Sequence, residues 1–144
     1  MASRIVNTLM KMCFYLEDQY IPYSKWFGTG FGQLEIAKQL GPLFHQILFA
    51  QDATQLEAGL CKVYPILLQL QNEKGICKVL DCVIESYYGR PYQVIDANQI
   101  KDALLNSIKE TDIKHLNVEW IGLDQKIDGM DFTDNQALLA RVIR

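Results

Sequence analysis

The stretch "IPYSKWFGTGFGQL", residues 21–34, separates two helical patterns and combines a proline, three glycines and four aromatic residues. Before it, apolar residues recur at spacings of three and four from Ser3 to Tyr20, as one face of an α-helix requires, and Ser3 can cap the start. Pro22 lacks an amide hydrogen and crowds the preceding turn, so it makes continuation of a helix costly. The stretch therefore predicts a fixed break between helices.

The same three-and-four spacing continues along the rest of the chain and predicts a series of helices. In chain order they are residues 32–40, stopped by Gly41 and Pro42; residues 42–50; residues 52–75, capped by Asp52 or Thr54 and bent at Pro65; residues 76–88, ended by Gly89 and Pro91; residues 97–110, capped by Asp96; a short helix from Thr111 or Asp112 through Ile121; and residues 135–144, capped by Thr133 or Asp134. Only "RPYQVI", residues 90–95, indicates extended chain. The predicted fold is all-α, a compact helical bundle of about six to eight helices.

Size and charge limit the possible classes of protein. The chain has 144 residues, of which 49% are hydrophobic and 22% charged, and this size favours one helical domain over residues 1–144. The net charge is −3 and the sequence pI is near 5.3. Because no block of lysine or arginine is available to grip a phosphate backbone, nucleic acid is an unlikely partner.

The first twenty residues carry charges at Arg4, Lys11, Glu17 and Asp18. These charges interrupt the apolar run that a signal peptide or a membrane span needs. We therefore expect a cytoplasmic protein with no membrane partner.

Metal and thiol chemistry is not predicted. The four cysteines, Cys13, Cys61, Cys77 and Cys82, have apolar neighbours and are expected to be buried and reduced. The two histidines, His45 and His115, are isolated, and no Cys-x2-Cys pair supplies zinc-ligand spacing. Aspartates 124, 128, 131 and 134 lack the alternate spacing of a calcium loop, so they are interpreted as caps and solvated loop acids.

Catalytic motifs are also absent from the sequence. It contains no Gly-x-Ser-x-Gly, no Gly-x4-Gly-Lys-Ser/Thr, no Gly-x-Gly-x2-Gly and no His-Glu-x2-His. No two aspartates are separated by a single residue, so the chain lacks an Asp-x-Asp pair that could hold two magnesium ions. No catalytic residue is predicted.

Three segments carry a resemblance to a known family: "YIPYSKWFGTGFGQL", "YYGRPYQVI" and "WIGLDQKIDGMD". Between about Tyr15 and Asp131 the chain resembles an uncharacterised bacterial family, a domain of unknown function whose members are similar to nucleotidyltransferases. In that superfamily a first domain holds Mg²⁺ and a nucleoside triphosphate through a Gly-Ser turn and an Asp-x-Asp pair, and a helical domain closes the cleft. The resemblance implies that this chain is the helical domain, with no cofactor of its own, either as a fragment or as a degenerate or stand-alone version.

The resemblance directs attention to Tyr23, Ser24, Lys25 and Trp26 as substrate- or nucleotide-binding residues. A lysine on a rigid turn can meet a phosphate as a point charge, and nearby glycines let backbone amides approach the same anion. Arg90 is a further candidate, although an internal aspartate between residues 124 and 134 is its favoured partner. The alternative is that Tyr23 and Trp26, with Phe27 and Phe31, only anchor the connection between helices, while Lys25 is solvated.

Two functions remain open on these grounds. The first is a non-catalytic substrate- or nucleotide-binding domain that orients a ligand against a nucleotidyltransferase catalytic domain. The second is a stand-alone protein–protein interaction module that forms a homodimer through the face left by the absent catalytic domain.

Overall fold

The computed structural model of the protein describes residues 2–110. The predicted helices after residue 110, the aspartates between 124 and 134 and the proposed carboxylate partner of Arg90 lie outside this range. The first compact unit of the chain is Met1–Ser107. The prediction of one domain over residues 1–144 extends beyond the described residues and stays a prediction.

The described chain is mostly helical, with one small antiparallel sheet. Its elements are α1 Ala2–Leu16, a 3₁₀ turn at Ser24–Trp26, α2 Phe27–Phe31, α3 Ala37–Leu48, α4 Ala53–Glu73, β1 Ile84–Ser86, a 3₁₀ turn at Tyr87–Gly89, β2 Gln93–Ile95 and α5 Ala97–Ser107. None of the helices in residues 2–110 has the length and apolar character to cross a membrane. The predicted helical class is confirmed, but the small sheet departs from the predicted all-α fold, and residues 2–110 contain five α-helices, fewer than the six to eight predicted for the chain.

The main core lies between α1, α3 and α4. Its most deeply buried side chains are Cys13, Leu40, Ile47, Val63 and Leu67. α3 and α4 approach closely where Gly59 faces Ile47, because a Cβ atom on Gly59 would lie 2.6 Å from Ile47 Cγ1. A smaller cluster of Leu68, Leu80 and Ala103 packs α4 against the chain before β1 and against α5.

α1 ends at Leu16, four residues before the predicted end at Tyr20. Asp18 adopts the left-handed conformation with φ 55°. The Asp18 N–H donates to the Tyr15 carbonyl at 3.2 Å, and the Gln19 N–H donates to the Phe14 carbonyl at 2.8 Å. This is the Schellman arrangement that closes a helix C-terminus, with aspartate in the place usually taken by glycine. The helix is therefore ended by its own cap, before Pro22 is reached.

The predicted stop at Gly41 and Pro42 is wrong. α3 runs continuously from Ala37 to Leu48, with Pro42 inside it. Leu40, Phe44 and Ile47 lie on one face of this helix and are all buried, whereas Pro42 is exposed. Burial of these side chains offsets the hydrogen bond that the proline cannot donate.

The predicted helix at residues 76–88 is also wrong. Gly75, with φ 62°, ends α4, and the chain then runs without helix to β1. The Asn72 Nδ2 donates to the Leu80 carbonyl at 2.8 Å and the Leu80 N–H donates to Asn72 Oδ1 at 3.1 Å, which holds this segment against α4. The valines, isoleucines and tyrosines that mimic a helical stripe here also suit a strand.

β1 pairs with β2 in antiparallel register, Glu85 opposite Val94, to form the hairpin, residues 84–95. The extended chain predicted at "RPYQVI" is confirmed for Gln93–Ile95. In the connecting loop Tyr88 has φ 49° and is 86% exposed. The Gln93 N–H donates to the Glu57 carboxylate, so α4 also holds the hairpin.

Within residues 2–110, the predicted helices at residues 52–75 and 97–110 agree with the structure. α4 is one helix despite Pro65, and Asp52 caps it by accepting from the Gln55 N–H at 2.8 Å. Asp96 Oδ1 accepts from the Gln99 N–H at 3.0 Å at the start of α5. α5 ends at Ser107, so Ile108, predicted as part of its apolar stripe, lies beyond it.

Candidate functional site

The predicted site lies on the aromatic turn, residues 21–34, between α1 and α3. Its central piece is the 3₁₀ turn Ser24–Trp26, in which the Trp26 N–H donates to the Tyr23 carbonyl at 2.8 Å. α2 follows at once and ends at Phe31. The short helix and the 3₁₀ turn fix the direction in which the side chains of residues 23–31 point.

The four aromatic residues of the turn divide into two pairs. Phe27 and Phe31 face the core: the Phe27 ring lies 5.7 Å from that of Phe14, and the Phe31 ring lies 5.5 Å from that of Phe44. Tyr23 and Trp26, in contrast, are 75% and 59% exposed. The alternative that all four anchor the connection is therefore correct for Phe27 and Phe31 and wrong for Tyr23 and Trp26.

Gly30 allows the turn to pack against α1. A Cβ atom on Gly30 would lie 2.8 Å from Pro22 Cγ and 3.4 Å from Phe14 Cζ. A Cβ atom on Gly28 would meet nothing within 4 Å. Gly30 therefore has a packing role that accounts for it without a ligand.

Ser24 and Lys25 are both exposed on the 3₁₀ turn. Within residues 2–110 neither side chain has a hydrogen bond, and Lys25 has no ion-pair partner. Both groups are therefore available to a ligand or partner, as the sequence predicts, but the position is a projecting turn that is open to solvent.

Arg90 is not brought together with the aromatic turn by any contact of the described chain. It lies in the hairpin loop, where its guanidinium carbon is 5.9 Å from the centre of the Tyr87 ring. The Tyr87 ring in turn contacts Tyr88 edge-on, with centroids 4.7 Å apart. Within the described residues, Arg90 makes this cation–π contact and has no carboxylate partner.

A concave surface with a volume of about 830 Å³ lies beside the turn. We call it the groove; the aromatic turn contributes Pro22, Gly30, Gln33 and Leu34 to it, but Tyr23 to Trp26 do not line it. Its other lining residues are Phe14, Glu17, Gln19, Tyr20, Glu35, Ile36, Gln39, Leu70 and Lys74. The sequence prediction missed all of these as site residues, because they come from segments up to 60 positions apart with no shared motif.

Glu17 organises one wall of the groove. Its carboxylate accepts hydrogen bonds from the backbone N–H groups of Glu35 at 3.0 Å and Ile36 at 2.7 Å. These two groups lead into α3, which has no side-chain cap of its own. Glu17 therefore acts as a cap for α3 that is supplied by the turn directly after α1.

The charge of the groove disfavours a phosphate. Two carboxylates, those of Glu17 and Glu35, belong to its lining, and Lys74 is the one cationic side chain among the described lining residues. Lys74 Nζ already pairs with Asp18 Oδ2 at 2.8 Å. A nucleotide triphosphate would meet more negative than positive charge there.

Three of the described thiols, those of Cys13, Cys61 and Cys82, have surroundings that disfavour the thiolate. Burial, and after it the nearby Glu17 carboxylate, raises the pKa of the Cys13 thiol to about 12. Burial also raises the pKa values of Cys61 and Cys82 above the ordinary value. All four cysteines are free thiols. Because the thiolate is the reactive form, these shifts keep the three thiols unreactive at neutral pH.

Comparison with known proteins gives no relative for the chain: no family model, no curated protein and no solved structure matches it. Within residues 2–110, no three histidine, cysteine, aspartate or glutamate side chains come together as potential metal ligands. The nucleotidyltransferase resemblance and the absence of a metal cofactor both stay predictions.

Proposed function

We propose that the protein is a non-catalytic interaction module that self-associates through the outward side of its aromatic turn. The observation that carries this proposal is the exposure of Tyr23 and Trp26, together with Tyr20, which is 98% exposed. Tyrosine and tryptophan are enriched among the residues that contribute most to protein–protein binding energy. Three such side chains within seven positions of sequence form a contact surface of the kind that a soluble protein covers with a partner.

The nucleotidyltransferase resemblance agrees with this surface. A helical domain of that type has one face against a catalytic domain, which would supply Mg²⁺ and a nucleoside triphosphate. Where the catalytic domain is absent, a second copy can cover the same residues. The bacterial cytoplasm is the setting that the resemblance implies.

Sedimentation velocity over a range of protein concentrations tests the proposal. We expect the wild-type protein to form dimers and the double variant Tyr23→Ser, Trp26→Ser to remain monomeric. Because both side chains are exposed, the variant should keep the wild-type free energy of unfolding. The matched control is Tyr88→Asn with Tyr92→Ser in the hairpin, where both tyrosines are also exposed and asparagine tolerates the left-handed backbone of Tyr88.

The control should dimerise like the wild-type protein. A wild-type protein that stays monomeric, or a turn variant that dimerises as tightly as the wild type, contradicts the proposal.

A second candidate function is the binding of a substrate or nucleotide by the same turn, as part of a nucleotidyltransferase-like protein. The observation that favours it is that the Lys25 ammonium group and the Ser24 hydroxyl group are exposed and have no partner among residues 2–110. A lysine in this state can pair with a phosphate without first losing another contact.

Thermal unfolding in the presence of ATP and Mg²⁺ tests the second candidate, since a ligand that binds the folded state raises the midpoint. Lys25→Ala should remove the increase, whereas Lys38→Ala, an exposed lysine on α3, should retain it. No increase in the wild-type protein, or an increase that survives Lys25→Ala, argues against this candidate.

A further inference from the structure

A second concave surface, here called the cleft, lies where the hairpin and α5 meet the helical layer. It has a volume of about 180 Å³ and shares no residue with the groove. α1 contributes Leu9 and Met12, α4 contributes Leu67 and Gln71, and the end of the hairpin and the start of α5 contribute Ile95 and Ala97. An apolar cavity of about 150 Å³ is sufficient to hold one benzene ring, so this cleft has room for a ring with one substituent.

Gln71 is the one buried polar side chain among residues 2–110, with only 2% of its surface exposed. Its Nε2 group donates to Cys77 Sγ at 3.5 Å, and no described residue donates to its carbonyl oxygen. Among the described residues, every side-chain oxygen that is fully buried has a hydrogen-bond partner. Because the carbonyl oxygen of Gln71 has no donor, it must be partly exposed, and the open space that Gln71 lines is the cleft.

An amide carbonyl in apolar surroundings is stabilised when a hydrogen-bond donor reaches it. Without a donor, it lowers the stability of the folded protein. Apart from Gln71 and Tyr64, the lining residues can offer a ligand only dispersion contacts and burial of apolar surface, and the Gln71 carbonyl oxygen can offer one acceptor. Binding sites for small molecules commonly have this composition, a predominantly apolar lining with few polar groups that fix the orientation.

We propose that the cleft binds a small apolar molecule, of the size of one aromatic ring or a short aliphatic chain, that carries a single O–H or N–H group. The ring or chain packs between Leu9, Met12 and Ile95, and the O–H or N–H group donates to Gln71 Oε1. This site uses none of the residues of the aromatic turn, so its existence does not depend on the function proposed for that turn.

Phenol is the probe for this site, with toluene as the analogue that lacks the donor. Both are titrated into the full chain carrying ¹³C-labelled methionine methyl groups, and methyl resonances are followed by NMR. Met12 lines the cleft, whereas Met10 packs against the main core and does not line it. We expect a saturable shift of the Met12 resonance with both compounds and a much smaller shift of Met10.

Gln71→Leu separates the hydrogen bond from the apolar contacts. The variant should bind phenol at least about tenfold more weakly than the wild-type protein, because the donor loses its acceptor, and should bind toluene with unchanged affinity. Gln69→Leu is the matched control: Gln69 is exposed on the same helix and donates to Glu73 Oε1 at 2.9 Å. This control should bind both compounds as the wild type does.

Ala97→Phe provides a test that leaves the core intact. Ala97 is exposed at the start of α5, so a larger side chain there obstructs the cleft without entering the core. It should weaken the binding of phenol and toluene together.

Three results would overturn the proposal. They are no saturable Met12 shift in the wild-type protein, equal effects of Gln71→Leu on phenol and toluene, and wild-type binding of phenol by Ala97→Phe. If Gln71→Leu does not fold, the Met12 titration and Ala97→Phe decide.

Discussion

Gly28 and Gly30 are separated by one residue in α2 but have different surroundings. A Cβ atom on Gly30 would overlap the Pro22 ring, whereas space around Gly28 is open. We predict that Gly30→Ala lowers the free energy of unfolding by about 1–3 kcal/mol through overpacking. Gly28→Ala should leave it unchanged or raise it by up to about 1 kcal/mol, because alanine favours a helix more than glycine. Urea unfolding of the two variants measures this difference, and equal effects would contradict the packing role of Gly30.

The Cys13 thiol makes stability depend on pH in the alkaline range. Its pKa is raised from 9.0 to about 12 in the folded protein. The stability that the protonated thiol contributes is therefore fully present below about pH 9 and is lost as the pH rises towards 12. Between pH 7 and about pH 10.5 we predict a loss of about 2 kcal/mol from this group.

Cys13→Ala provides the comparison, because it lacks the thiol. The difference in free energy of unfolding between the wild-type protein and this variant should narrow by the same amount over that pH interval. A difference that stays constant would show that the thiol does not titrate with a raised pKa.

At the level of elements, the start of α3 depends on Glu17, a residue of the turn directly after α1. The Glu17 carboxylate accepts from the two N–H groups that lead into α3. We predict that Glu17→Ala lowers the free energy of unfolding by about 1–3 kcal/mol, the usual cost of losing a cap and hydrogen bonds to a charged group.

Glu35→Ala is the control for Glu17→Ala. It removes a nearby carboxylate, which makes no hydrogen bond or ion pair within residues 2–110, and keeps the backbone N–H that Glu17 binds. Its effect on the free energy of unfolding, measured with urea, should be small. A decrease as large as that of Glu17→Ala would show that the loss of negative charge, rather than the loss of the cap, destabilises the protein.

Local signals in the sequence predicted some elements well and others not at all. The cap at Asp96, and the cap at Asp52 with Thr54 as the alternative, can be predicted because the effect of a cap is confined to the next three residues. β1, the first strand of the hairpin, is not predicted, because Ile84, like Val79 and Val83 before it, fits a helical stripe as well as a strand. The choice depends on contacts of the hairpin and the preceding segment with Asn72 and Glu57 in α4. Contacts of this kind, from distant parts of the chain, leave no periodic trace in the sequence.

The candidate site shows the same limit. The exposure of Lys25 and Ser24 could be predicted from their place in a turn. The groove could not, because its residues are neighbours only after α1, α3 and α4 have packed. The cleft could not either, because it forms only when the end of the hairpin and α5 meet α1 and α4. Pro42 was misread for a related reason: burial of Leu40, Phe44 and Ile47, rather than local propensity, keeps α3 continuous.

Across the whole described unit, burial is concentrated in α1, α3 and α4. Leu40, Ile47 and Val63 are fully enclosed, whereas the strands of the hairpin are three residues long and contain only exposed and half-buried residues. A two-stranded sheet has little stability of its own. Backbone amides exchange with solvent when the structure around them opens. We predict that the free energy of this opening is lower for β1 and β2 than for α3 and α4 by roughly 2 kcal/mol or more.

Native-state hydrogen exchange measured by NMR tests this order. The amides of Phe44 and Ile47 in α3 should be among the slowest in residues 2–110. Hairpin amides that exchange equally slowly would show that the described unit opens as a whole and would contradict the prediction.

The division of the aromatic turn into inward and outward pairs has a consequence for selection. In a library randomised at positions 23, 26, 27 and 31 and sorted only for folded protein, positions 27 and 31 should return to large apolar residues, because their rings fill the core beside Phe14 and Phe44. Positions 23 and 26 should drift to polar residues. The library can then be sorted a second time for binding to one ligand or partner. If this sorting restores aromatic residues at positions 23 and 26, that ligand or partner is what the turn binds.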